Sequence, residues 1–139
     1  MTNHICNVYI YLLYALVYII GTFAFQYCSL LSKVILTNGI FLLGNYMFQM
    51  TSNSPTLLSS IMIPSTITYI ANYVFIYCSG ITKIEFVDGL TVLGNFMFQM
   101  SAYPTLLSVI TIPSSLTFIG NFNRLYVYTI YIILFTYHL

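Results

Sequence analysis

The chain has no tryptophan and very little charge: three Lys or Arg and two Asp or Glu in 139 residues. The five are Lys33, Lys83, Arg124, Glu85 and Asp88. A soluble domain ordinarily carries about 25% charged residues, against 4% here. A formal net charge of +1 cannot build the basic patch that phosphate neutralisation requires, so nucleic acid is excluded as a partner. Disorder is excluded too, because it needs low hydrophobicity with high net charge, and 60% of these residues are hydrophobic. Three cysteines, an odd number, do not make a disulfide framework. His4 and His138 lie at opposite ends, which leaves no plausible metal site. Glu85 and Asp88 are the only carboxylate side chains, and nothing supplies the water-poor pocket that acid–base work demands. No catalytic residue, metal or cofactor is expected.

Long uninterrupted apolar runs are missing from the middle of the chain. Residues 34–82 hold no charge, but Thr37-Asn38-Gly39, Asn45, Ser59-Ser60 and Pro64-Ser65-Thr66 cut them into pieces. A further polar stretch, Thr51-Ser52-Asn53-Ser54-Pro55-Thr56, does the same. None of the pieces reaches the roughly 20 residues of a spanning helix. The ends are more apolar. Residues 8–21 lack Ser, Thr, Asn, Pro and charge, and the run extends to Phe25. Residues 125–139 would reach only about 22 Å as a helix, short of the bilayer core. A signal peptide needs a basic start, and Met1-Thr2-Asn3-His4 has no Lys or Arg. Tyr9, Tyr11, Tyr14 and Tyr18 suit a strand at least as well as a helix. For residues 1–16 a degenerate repeat strand and a membrane anchor therefore both stand as readings.

What the chain does contain is an internal repeat. NYMFQM at residues 45–50 recurs as NFMFQM at 95–100. PTLLSSIMIPSTITYIAN at 55–72 recurs as PTLLSVITIPSSLTFIGN at 104–121. VFIYCSGITKIEF at 74–86 matches AFQYCSLLSKVIL at 24–36. Units begin at Gly21, Gly44, Ala71, Gly94 and Gly120, with spacings of 23, 27, 23 and 26 residues. The extra residues of the long units, 51–55 and 101–104, fall at one place and map to a loop on one face.

The pattern separates inward from outward positions. An Ile-x-Ile pair reads as a short period-2 strand, so Val34/Leu36, Ile61/Ile63, Ile84/Phe86 and Ile110/Ile112 point inward. Turn formers follow, and then a second apolar pair, Ile40/Leu43, Ile67/Ile70, Leu90/Leu93 and Leu116/Ile119. The expected core is Phe25, Cys28, Leu31, Val34, Phe48, Ile61, Phe75, Cys78, Ile84, Phe98 and Ile110. One unit cannot bury its apolar face alone, so units must stack. Cys28 and Cys78 stand two units apart, roughly 10 Å at the usual strand spacing, beyond the reach of a disulfide. They read as small buried hydrophobes; Cys6 reads as a free thiol without a clear role, and Met50 and Met100 as core filling.

The run from Leu107 to Asn121, Leu-x-x-Ile-x-Ile-Pro-Ser-Ser-Leu-Thr-x-Ile-Gly-Asn, resembles the BspA-type leucine-rich repeat, as does Phe-x-x-Cys-Ser-x-Leu-x-x-Val from Phe25 to Val34. Several units share the pattern, over about residues 17–121. Ala71 departs from the usual Gly, Met replaces Cys in the long units, and the pattern stops at Arg124, where a core Phe belongs. The resemblance implies a mostly β solenoid with one short parallel strand per repeat of 23–27 residues, and turns with short helical segments on the convex side. It divides the chain into residues 1–16, repeats at 17–123, and an apolar tail at 124–139. It also implies cell-surface or secreted proteins of anaerobic bacteria and parasitic protists, associated with adhesion to host proteins.

On a solenoid sheet the outward strand positions form ladders. Here these are Lys33, Ser60, Lys83 and Val109 in one row, and Ile35, Met62, Glu85 and Thr111 in the next. Three of the five charges fall on this face, which makes it the candidate concave surface for a protein ligand; the inserted loops are the second contact surface. The expectation is a non-enzymatic surface adhesion or protein-interaction module. A membrane-anchored repeat protein and a truncated repeat fragment without independent function are the alternatives. Sparse charge and apolar ends also favour self-association.

Overall fold

The computed structural model describes residues 9–12, 18–51, 56–99, 106–121 and 131–134. The expectations for Cys6, His4, His138, Met100, Arg124 and most of the inserted loops (residues 52–55 and 101–104) fall outside them. The chain winds as a parallel β-solenoid. Each coil contributes a four-residue strand and then a two-residue strand, so it builds two ladders where the repeat pattern implied one.

The long-strand ladder contains β1 (Tyr9–Leu12), β3 (Lys33–Leu36), β5 (Ser60–Ile63), β7 (Lys83–Phe86), β9 (Val109–Ile112) and β11 (Tyr131–Leu134). The short-strand ladder contains β2 (Ile19–Ile20), β4 (Leu42–Leu43), β6 (Tyr69–Ile70), β8 (Val92–Leu93) and β10 (Phe118–Ile119). Every pairing is parallel and in register, one coil to the next: Ile61 stands beside Ile84, and Ile84 beside Ile110. The short ladder is continuous, whereas the long one divides into β1–β3 and β5–β7–β9–β11. The division falls between β3 and β5, across the coil that carries the first insertion. Strands β1 and β11 extend the ladders into the apolar ends by pairing with β3 and β9.

Period-2 alternation places the core as the sequence indicates. Ile61, Ile63, Ile84, Phe86, Ile110 and Ile112 are buried, with Leu43, Ile70 and Leu93 facing them from the short strands. Of the predicted core, only Phe25 is less than fully buried, packing from the first described turn segment against the rest. Ile119, expected inward, is exposed because no later coil among the described residues covers the end of its ladder.

The third side of each coil is made of turns, and the expected helical segments are absent among the described residues. The backbone explains this. Amide groups that would bond back along a helix instead donate to the next coil: Phe25 N to Met47 O at 2.8 Å, Phe48 N to Val74 O at 2.9 Å, Phe75 N to Met97 O at 3.0 Å. Left-handed φ values at Phe23, Tyr46, Tyr73 and Phe96, between 54° and 61°, also stop helix propagation. Their rings stack in an outer column with centroid spacings of 5.2, 4.7 and 5.1 Å. An inner column of Phe25, Phe48, Phe75 and Phe98 runs parallel to it at 5.4, 5.5 and 5.8 Å. Between the short strands and these columns, side-chain amides satisfy backbone donors from coil to coil. Asn72 N donates to Asn45 Oδ1 at 3.0 Å, Asn95 N to Asn72 Oδ1 at 2.7 Å, and Asn121 N to Asn95 Oδ1 at 3.0 Å. The recurrent Gly-Asn of the sequence follows from this. A Cβ at Gly94 would stand 2.5 Å from the backbone of Ala71, so the residue before the Asn must be small.

The cysteines require a correction. Cys28 and Cys78 are both buried, as expected, but Cys28 is disulfide-bonded while Cys78 is a free thiol. The other half of the Cys28 disulfide lies outside the described residues. The Cys78 thiol donates to Phe48 O at 3.0 Å, and burial pushes its pKa far above the ordinary thiol value.

Candidate binding face

The strand face presents the outward residues of the long ladder. Ser60, Lys83 and Val109 are register partners, and so are Met62, Glu85 and Thr111. Six of the eight residues predicted for this face thus stand in two adjacent rows. Lys33 and Ile35 lie on β3, which packs beside β5 without ladder pairing to it and is paired on its other side with β1, opposite Tyr9 and Tyr11. The two rows occupy β5, β7 and β9.

Within the rows, Lys83 Nζ and Glu85 Oε1 form an ion pair at 2.9 Å, with side chains 46% and 42% exposed. Residues two apart on one strand share a face, which brings the pair together. At that exposure water screens it, and such pairs contribute at most about 1 kcal/mol. Met62 is 59% exposed, so the face offers thioether surface beside the two charges.

Beyond the ends of the strands, the row of Met62, Glu85 and Thr111 continues into a groove of about 300 Å³ shared with Val87, Asp88 and Pro113. The turn after β7 fixes Asp88. Gly89 takes φ +123°, and a Cβ there would stand 2.0 Å from Ser65 O on the preceding coil. Gly89 N donates to Ser115 Oγ at 2.8 Å, and Ser115 Oγ donates to Leu90 O at 2.8 Å. The turn after β3 repeats this clamp: Gly39 N donates to Thr66 Oγ1 at 3.3 Å, which donates to Ile40 O at 2.8 Å. Asp88 Oδ1 accepts from Ser114 N at 3.1 Å and from Ser114 Oγ at 3.2 Å. Asp88 therefore ties its turn to the next coil and sits at the groove beside Glu85. The one-dimensional pattern assigned Asp88 to a turn and missed the groove, because its lining comes from three coils.

A second surface was also missed. The outward positions of the short strands are Ile19, Leu42, Tyr69, Val92 and Phe118, all in register. Ile19, Tyr69 and Phe118 are exposed. The signal was available as an apolar residue directly before the inward Ile or Leu in every unit. The short spacing of that pair hid the fact that it is a strand with two faces.

Among the described residues no group of His, Cys, Asp and Glu can hold a metal ion, and no helix is long and apolar enough to cross a membrane. Six copies of the BspA type leucine-rich repeat region match residues 6–126. No curated protein and no solved structure matches the chain.

Proposed function

The chain belongs to the BspA-type leucine-rich repeat family, and on that premise we propose that it is a non-enzymatic adhesion module that binds a protein ligand at the cell surface. Leucine-rich repeats generally mediate protein–protein interaction, and this family is typically surface-associated. The observation that carries the reading is the registered pair of rows, Ser60–Lys83–Val109 and Met62–Glu85–Thr111, with an exposed ion pair beside an exposed Met62. None of these side chains is needed to fill the core. The Cys28 disulfide suits the oxidising conditions outside the cytoplasm.

The test is capture of extracellular proteins on the immobilised full chain, with affinity measured for the protein identified. Replacing Lys83 and Glu85 by Ala should weaken binding about tenfold or more, the loss expected from two residues near the centre of an interface, while leaving the unfolding midpoint within experimental error. Unchanged affinity in the double variant removes this face from the proposal.

A further inference from the structure

We infer that the groove beside β7 takes a basic side chain of the protein ligand, an arginine or lysine whose aliphatic stem lies on Met62, Val87 and Pro113 while its charged head meets Asp88. The inference deepens the function proposed above and rests on it, since it names the chemistry of the ligand at one end of the same face.

The charge distribution selects this occupant. The whole chain has two carboxylate side chains, and both line this one groove. They are not equivalent. Glu85 is paired with Lys83 at 2.9 Å, whereas among the described residues Asp88 has no ion pair and accepts from the neutral Ser114 N and Oγ. Among the described residues the groove therefore carries one negative charge without a cationic partner, on a carboxylate held by two hydrogen bonds. Its remaining lining is neutral, and Met62 and Val87 are 59% and 40% exposed, so apolar surface stands open next to that charge.

Lysine and arginine combine these two requirements in one side chain, with an apolar stem that covers hydrophobic surface and a cationic end that keeps its hydrogen bonds. An acidic side chain would meet repulsion here. A purely apolar one would take Asp88 out of water without a partner, which costs more than the contact returns. A volume of about 300 Å³ is at the small end of ligand sites, which fits one long side chain. A divalent cation is a poorer match: calcium needs six to eight oxygen ligands, and one of the two carboxylates is already occupied by Lys83.

The probes are blocked pentapeptides Gly-Gly-Xaa-Gly-Gly with Xaa Arg, Lys, Leu or Glu, and calcium chloride alone. Each is titrated into the full chain carrying ¹³C-methyl methionine, with the Met62 signal assigned by Met62→Leu. The Arg and Lys peptides should shift the Met62 methyl saturably. Asp88→Asn, which keeps the acceptor for Ser114, should weaken that response about tenfold, the effect of losing one charge-assisted contact. Val87→Ser, which trims the apolar wall and leaves the carboxylate alone, should weaken it less. Equal shifts with the Leu or Glu peptide, an undiminished response in Asp88→Asn, or a response to calcium without one to the Arg peptide would overturn the inference. Capture of a protein that depends on Lys83 and Glu85 but is indifferent to Asp88→Asn would overturn it while leaving the proposed function in place.

Discussion

Phe48 and Phe75, one coil apart, stack with their ring centroids 5.5 Å apart and their planes 7° from parallel. Phe98 continues the column at 5.8 Å. The inner column transmits burial from coil to coil, and Phe75, with no solvent exposure, lies in its middle. Phe75→Ala should therefore cost about 3–5 kcal/mol, the usual cost of emptying a buried aromatic site. Phe23→Ala, at the exposed end of the outer column, should cost much less. Denaturant midpoints of the two variants check this, and similar losses would mean that the inner column is not the core.

The turn glycines make a second comparison. Gly39 and Gly89 both have positive φ, but a Cβ at Gly39 meets nothing within 4 Å while one at Gly89 would stand 2.0 Å from Ser65 O. Gly39→Ala should lose only the strain of its backbone conformation, on the order of 1 kcal/mol, and Gly89→Ala clearly more, on the order of 3 kcal/mol. Thermal unfolding of the two variants gives the order directly. Gly89→Ala should also displace Asp88 and abolish any response of the Met62 methyl to the Arg peptide.

Cysteine chemistry offers a third. Native protein should not react with a thiol alkylating agent at mildly alkaline pH, because burial holds the Cys78 thiol in its neutral, unreactive form. Denatured without reductant, the chain should take one alkyl group at Cys78, since Cys28 is in a disulfide. After reduction all three cysteines should react. Mass spectrometry of the alkylated chain counts them, and ready modification of Cys28 without reductant would contradict the disulfide.

Much of this fold was legible because its core repeats on a fixed spacing. Ile61, Ile84 and Ile110 announce themselves by period 2 and by recurrence, and the structure seats them side by side. What stayed hidden depends on relations the linear pattern does not carry. Phe25 sits in the first described turn segment and is only partly buried, with Phe48 as its ring partner among the described residues. Lys33 and Ile35 hold the positions that Lys83 and Glu85 hold on β7, and nothing in the repeat pattern shows that the ladder divides before β5. Tyr46 and Tyr73 take left-handed φ where Gly or Asn would be the usual choice, and their rings stack in the outer column. The Cys28 disulfide is not legible from the repeat, because Cys78, the residue at the equivalent position, stands out of bonding range and is a free thiol. The groove was missed because Asp88 reads as turn chemistry alone until Pro113 and Met62 from the neighbouring coils are placed beside it.

Both the binding face and the groove depend on Ser60, Lys83 and Val109 standing in one row across three coils. Cysteine pairs test that row most directly. Neighbouring parallel strands put register partners about 4.8 Å apart, within disulfide range, and put residues two coils apart at about 10 Å, outside it. Under mild oxidation, Ser60→Cys combined with Lys83→Cys should form an internal cross-link seen by peptide mapping. Ser60→Cys combined with Val109→Cys should not. Equal cross-linking of the two pairs, or none in the first, would contradict the register on which the account stands.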